Sequence, residues 1–240
     1  MAQEDFNKSA IVKAQATDYL ASGAKAALGA IPIAGSLLAE VAGSIIPNQR
    51  LDRIADFAAK LEERIKNLEE DQIRNELNDE EFTDLLEESL LQASRAVSAE
   101  RRNYLASLVA SSLTAKDIEH SEAKHLMRIL GELSDVEILW LRYYAVPTIG
   151  GDSEFREIHQ EVFKPIAATL SSSQEELDDH ALRQSYRTHL VRLGLTREFS
   201  QKGKNGLPEF DNATGQPKVN RWEISQFGRL LLKNIGMASR

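Results

Sequence analysis

Residues that interrupt helices are scarce in this chain. Only six prolines and thirteen glycines occur among its 240 residues, and these are the two residue types that most oppose a helix interior. The long stretches between them are rich in Ala, Leu, Glu, Lys and Arg, which favour helices. Strand character is confined to residues 195–200 and 219–224, which flank a loop-like segment. The sequence therefore predicts a mainly helical protein with one small β-hairpin.

Charge is distributed unevenly along the chain. Residues 1–180 carry 18 Lys and Arg against 33 Asp and Glu, whereas residues 181–240 carry 11 against 4. An acidic chain with a basic last quarter is typical of a protein that binds a polyanion through that quarter. We therefore predict two domains, an acidic helical bundle over residues 1–120 and a second domain over residues 121–240 that is basic from residue 181.

The residue types that carry most enzymatic chemistry are missing or unfavourably spaced. The chain has no cysteine, which excludes disulfides, thiolate metal sites and cysteine nucleophiles. Its five histidines lack the spacing of zinc hydrolases, and no phosphate-binding glycine loop or nucleophile elbow occurs. Carboxylate pairs such as Glu87–Glu88 are explained by solvated helix faces. We expect a non-catalytic protein without a cofactor or a metal site.

The least polar part of the chain, residues 26–47, contains one charge, Glu40. Pro32 and Pro47 limit a helix between them to at most 14 residues, or about 21 Å. A bilayer core is roughly 30 Å thick, and the N-terminus lacks a signal-peptide pattern. We therefore expect a buried helical hairpin in a cytoplasmic protein. The alternative is a hairpin that associates with a membrane through Ile31, Ile33, Leu37, Leu38, Ile45 and Ile46.

A heptad pattern follows this segment. Six apolar residues alternate by three and four positions: Leu51, Ile54, Ala58, Leu61, Ile65 and Leu68. Such spacing places them along one seam of a helix. The preferred interpretation is a helix packed inside its own domain, and the alternative is a seam for a homo-oligomer or another partner.

Three helix starts can be predicted from capping residues. Asn78 and Ser98 each precede a helical run and have side chains that accept hydrogen bonds from the first-turn amides. Ser134 is followed three residues later by Glu137, which is the spacing of a capping box.

The order of elements in the last quarter resembles a winged helix over about residues 130–240. A predicted helix over Gln174–Leu193 ends at Gly194, the run HLVRLGLTREF enters the first strand, and RWEISQFGRLLL connects the second strand to a closing helix. We expect this closing helix to pack through Phe227, Leu230, Leu231 and Ile235.

The winged-helix resemblance implies a site for DNA. In DNA-binding members one helix enters the major groove and the hairpin, or wing, touches phosphates or the minor groove. By position, the helix would contribute Arg183, Gln184, Arg187 and Thr188, and the wing would contribute Lys202, Lys204, Lys218 and Arg221. An acidic protein surface is the alternative partner, and the basic face could also dock on the acidic bundle of the same chain.

A second resemblance covers about half of the chain. The runs IPIAGSLLAEV, SAERRNYLASLVASSLT and HLMRILGELSDVEILWL are similar in layout to the abortive-infection alpha-type family of bacterial proteins. This resemblance implies a non-catalytic bacterial protein with a role in defence against phage. We therefore expect an interaction or regulatory protein that binds DNA or an acidic partner. The alternative is a membrane-active effector that inserts residues 26–47 on a trigger.

Overall fold

The computed structural model describes residues 50–114, 118–146, 151–164, 172–203, 205–210 and 217–238. Within these ranges the protein is mainly helical with a small antiparallel hairpin near the C-terminus, as the sequence predicts. Lys204 and the apolar segment 26–47, with its six candidate membrane contacts, lie outside the described residues. Across the described part of the chain, no helix combines the length and apolar character needed to span a membrane.

The described elements follow one another in a simple order. In chain order the helices are α1 (Leu51–Ile65), α2 (Glu70–Glu76), α3 (Glu80–Arg95), α4 (Ala99–Thr114), α5 (His120–Glu132), α6 (Asp135–Ala145), α7 (Ser153–Ile158), α8 (Gln160–Phe163), α9 (Gln174–Arg192) and α10 (Gln226–Asn234), and strands β1 (Thr196–Ser200) and β2 (Val219–Ile224) lie between α9 and α10. The chain divides into an N-terminal unit, Met1–Gly131, and a C-terminal unit, Glu132–Arg240. The division falls later than residue 120, because nearly all of α5 groups with the helices before it.

The core of the N-terminal unit is built on the apolar face of α1. This helix packs mainly against α4 and also against α3. Its fully buried side chains are Ile54, Phe57, Ala58, Leu61 and Ile65. Four of the six heptad positions are therefore buried by the chain itself, as expected if this helix packs inside its own domain. Leu51 begins the helix, and Leu68 follows its end and is half-buried.

Two of the predicted helix starts have the expected capping geometry. The Ser98 hydroxyl accepts a hydrogen bond from the Arg101 amide at 3.1 Å. At the start of α6, the Ser134 hydroxyl accepts from the Glu137 amide at 3.3 Å, and the Glu137 carboxylate accepts from the Ser134 amide at 2.7 Å. These reciprocal bonds satisfy amides that have no partner within the helix.

The third predicted helix start was wrong by one residue. Asp79, and not Asn78, caps α3, because its carboxylate accepts from the Glu81 and Phe82 amides at 2.8 and 3.2 Å. A charged carboxylate also interacts more favourably with the positive end of the helix dipole than an amide does. The Asn78 side chain instead donates to the Asn75 carbonyl at 3.1 Å.

Arginine side chains cap the C-terminal end of α3. Arg53 donates to the carbonyls of residues 94–95 at 3.3 and 3.4 Å. Arg102 donates to the carbonyls of residues 96–97 at 2.9 and 3.1 Å, and its Nε donates to the Asp56 carboxylate. Burial acts to raise the pKa of Asp56, but hydrogen bonds from Arg102 and a neighbouring lysine outweigh it and hold that pKa below its usual value.

The C-terminal unit contains the hairpin at the predicted positions. Helix α9 ends before Gly194, whose φ of 71° is the left-handed conformation that glycine adopts readily at a helix end. Strands β1 and β2 pair antiparallel from Thr196 opposite Ile224 to Ser200 opposite Val219, with one irregularity. Beyond the strands, single bridges join residues 202 with 208 and 210 with 217.

The buried face of α10 is set by Gly228, where the helix backbone packs closely against the Leu195 carbonyl. A Cβ at Gly228 would lie 2.3 Å from the Leu195 carbonyl oxygen, so the backbone itself packs on the start of the hairpin. Leu231, Leu232 and Ile235 are buried on this side. The prediction that Leu230 packs inward was wrong: it is 40% exposed, because it lies on the opposite side of the helix from Gly228. Phe227 is half-buried.

We expect Leu61→Ala to lower the free energy of unfolding by about 2–5 kcal/mol, because it leaves a cavity in a closed core. Leu68→Ala is the matched control and should lower it by less than about 1 kcal/mol, since that side chain is only partly covered. Urea unfolding followed by circular dichroism measures both values. Equal losses, or a change in molecular mass by sedimentation in either variant, would favour the partner-seam alternative.

Candidate functional site

A groove between α9 and the hairpin is the candidate site in the C-terminal unit. It encloses about 650 Å³. Four of the eight residues predicted to contact nucleic acid line it: Gln184, Arg187, Thr188 and Lys218. The structure thus brings half of these eight residues together in one groove.

Helical and strand periodicity bring these side chains together. His180, Gln184 and Thr188 recur every four residues along α9 and therefore share one face. On the hairpin, Glu198 and Trp222 are directly opposite each other in the register, and both line the groove. Helix and sheet therefore supply the two walls.

Arg187 forms the floor of the groove. Its guanidinium carbon lies 4.4 Å from the centre of the Trp222 ring and 5.4 Å from that of Trp140. Its Nε donates to the Tyr144 hydroxyl at 3.2 Å. The Arg187 side chain is half-buried, so its charge is held between two indole rings rather than extended into solvent.

The second predicted arginine of α9 is also engaged within the unit. The Arg183 guanidinium lies 6.0 Å from the centre of the Trp140 ring, and its Nη1 donates to the Lys164 carbonyl. The Trp140 ring, which both arginines contact, belongs to an aromatic cluster: Trp140, Tyr143, Tyr144, Phe155 and Phe163. In the sequence, this cluster is indicated only by the three aromatic residues at positions 140, 143 and 144 of one apolar helix.

The predicted wing residues lie in different environments. Lys218 lines the groove, and its Nζ is 2.8 Å from the Glu209 carboxylate. Arg221 lies on the opposite face of the hairpin, with its guanidinium 4.8 Å above the Phe199 ring and its Nε 2.7 Å from Glu223. Lys202 is exposed near the bridge beyond the strands. The hairpin thus carries cations on both of its faces.

Three further polar residues that sequence reasoning did not select also line the groove, namely His180, Glu198 and Gln201. His189, by contrast, lies against α6, where its Nδ1 is 2.6 Å from the Glu137 carboxylate. That carboxylate is buried and joins the capping box of α6 to α9. Among the described residues, no group of three His, Asp or Glu side chains could hold a metal ion. The groove is suited to hydrogen bonding and to ionic contact.

The Tyr144 hydroxyl, which accepts the hydrogen bond from Arg187, has a raised pKa. Burial raises its pKa, and the charge and hydrogen bond of Arg187 act in the opposite direction without cancelling the rise. Because the folded pKa lies above the unfolded value, the neutral tyrosine stabilises the fold fully below about pH 10, and this contribution is lost as the pH rises through the folded pKa.

We expect Tyr144 to ionise later than an ordinary tyrosine. Absorbance at 295 nm followed through alkaline pH, in the wild-type protein and in Tyr144→Phe, isolates this residue by difference. The difference curve should show one transition with its midpoint above about pH 10. A midpoint at or below that value would contradict the burial of the hydroxyl.

Removing the Arg187 guanidinium should disrupt the floor of the groove. Arg187→Ala should lower the free energy of unfolding by about 1–3 kcal/mol, the sum of two ring contacts and one hydrogen bond. The only two tryptophans of the chain are those that contact Arg187. Their fluorescence emission should therefore shift to longer wavelength. Arg192→Ala, at an exposed position of the same helix, is the control and should leave the emission unchanged.

Comparison of the chain with known proteins identifies no relative. No family model matches it, and neither a curated protein nor a solved structure does. The function must be argued from its own residues.

Proposed function

We propose that the C-terminal unit is a winged-helix-like module that binds the phosphate backbone of DNA in the groove between α9 and the hairpin. The convergence of Gln184, Thr188 and Lys218 in that groove carries the proposal. These three come from a segment, residues 181–240, that has 11 basic and 4 acidic residues. The role is non-catalytic binding, as expected of a regulatory or phage-defence protein.

The order and packing of the elements support a winged-helix-like arrangement. Helix α9 contacts β1, the hairpin returns to α6 through β2, and α10 closes against α6. A helix followed by a hairpin and a closing helix matches the order in which winged helices present a recognition helix and a wing.

Backbone contact suits the groove better than base readout. Arg183 and Arg187, the two side chains best able to form paired hydrogen bonds with a guanine edge, already contact the Trp140 ring of the aromatic cluster. The groove instead offers an amide, a hydroxyl and an ammonium group, which are common phosphate ligands. Arg187 adds positive potential from beneath the groove.

Fluorescence anisotropy with a labelled random duplex and the full-length protein tests the proposal. Arg187 and Lys218 are the cations that line the groove, and two phosphates neutralised by them predict that the affinity falls roughly 12-fold between about 50 and 200 mM salt. Gln184→Glu places a carboxylate next to the bound phosphate and should weaken binding at least about fivefold. The arginines of α9 are less suitable for this test, because their replacement also disturbs the aromatic packing.

Ser185→Glu is the matched control for Gln184→Glu. Both positions are exposed, and both variants gain one negative charge. Neighbouring helix residues differ in direction by about 100°, so Ser185→Glu should change the affinity less than about twofold at 200 mM salt, where screening is strong. Absence of salt-dependent binding, or equal weakening by the two variants, would reject the groove as a DNA site.

A further inference from the structure

A second cleft, in the N-terminal unit, gathers three arginines. It lies where α3 and α5 end and α4 begins, and it encloses about 380 Å³. Arg95, Arg101 and Arg128 line it, with Glu88 as the one acidic residue of its lining. This volume is in the lower part of the range for small-molecule sites, which is roughly 300–1,000 Å³.

The arginines of this cleft differ in how they are held. Arg101 donates from Nη1 to the Leu130 carbonyl at 2.7 Å, which fixes its guanidinium at the end of α5. Arg95 and Arg128 are exposed, and neither forms an ion pair with another described residue. The cleft therefore combines one oriented guanidinium with two that can close on a ligand.

The wall beside these arginines is built by close packing. The Gln92 amide nitrogen donates to the Glu88 carboxylate at 2.8 Å and to the Met127 carbonyl at 2.9 Å. A Cβ at Gly131 would lie 2.7 Å from that nitrogen. The only carboxylate of the lining is thus held by an amide, and the backbone of Gly131 leaves room for this arrangement.

The charge of the cleft is opposite to that of its surroundings. Residues 1–131 carry 15 Lys and Arg against 22 Asp and Glu, so a cleft with three arginines and one carboxylate is a local reversal. Cations near helix C-termini interact favourably with the helix dipole, which accounts for each arginine singly. It does not account for three that converge on one open volume, where their mutual repulsion favours a bound anion.

We propose that this cleft binds a small molecule that carries a phosphoryl group. A planar guanidinium forms paired hydrogen bonds with phosphate oxygens, and several guanidinium groups together match a doubly charged anion. The cleft is larger than one phosphate ion requires, which leaves space for the rest of such a ligand. This site is independent of the groove in the C-terminal unit.

Isothermal titration of the full-length protein with inorganic pyrophosphate, at constant ionic strength, tests the proposal. We expect saturable binding that Arg128→Gln weakens about tenfold or more, because a charge-assisted contact is lost. Lys66→Gln removes one positive charge from an exposed position of the same unit outside the cleft. It should change the dissociation constant less than about twofold. Inorganic phosphate as a second ligand shows whether one phosphoryl group suffices.

Testing each variant in the binding assay of the other site shows whether the two proposed sites are distinct. Gln184→Glu should leave pyrophosphate binding unchanged, and Arg128→Gln should leave DNA binding unchanged. No saturable binding of pyrophosphate, or an equal loss in Arg128→Gln and Lys66→Gln, would overturn the proposal and leave the arginines with a purely structural role at the helix ends. Loss of binding in Gln184→Glu would reassign the pyrophosphate to the groove.

Discussion

The carbonyl groups at helix C-termini lack partners within the helix, and arginine supplies partners for them at the ends of α3 and α5 in the N-terminal unit. Arg53 donates to the last carbonyls of α3, Arg102 donates to the two carbonyls that follow this helix, and Arg101 donates to the Leu130 carbonyl near the end of α5. Each guanidinium also crosses from one helix to the terminus of another, so it fixes both the helix end and the packing of its neighbour. Each hydrogen bond of this kind makes a net contribution to stability of about 1.5–3 kcal/mol, because the donor is charged.

In the C-terminal unit, arginine side chains contact aromatic rings rather than only helix-terminal carbonyls. Arg187 on α9 contacts the Trp140 ring and the Tyr144 hydroxyl of α6 and the Trp222 ring of β2, and so links these three elements. The number of basic residues in a segment is therefore a poor measure of the charge that it offers to a partner. Of the cations predicted to bind DNA, Lys218 lines the groove but is paired with the Glu209 carboxylate. Arg187 lines it with its charge held between two indole rings, and Arg183 contacts the Trp140 ring.

Local signals account for most of what the sequence predicted. The strand limits, the end of α9 at Gly194 and the capping box at Ser134 depend on neighbouring residues alone, and all three agree with the structure. The sequence could not reveal which arginine meets which ring, since Arg187 and Trp222 are brought together only by the hairpin. The face of α10 was missed for a related reason: Leu230 fits an amphipathic pattern, but the close approach of Gly228 to another element decides which side is buried.

The base of the hairpin is fixed by its junction with α10. At its base the Ser225 amide donates to the Leu195 carbonyl at 2.9 Å, the Ser225 hydroxyl donates to the Gly194 carbonyl at 2.6 Å, and α10 packs directly on this junction. Away from the base, Leu207 and Phe210 are more than half exposed. The position of α10 and the pairing of β1 with β2 therefore depend on the same contacts. A side chain larger than hydrogen at residue 228 would disturb the strands as well as the helix, and with them the alignment of Glu198 and Trp222 on the wall of the groove.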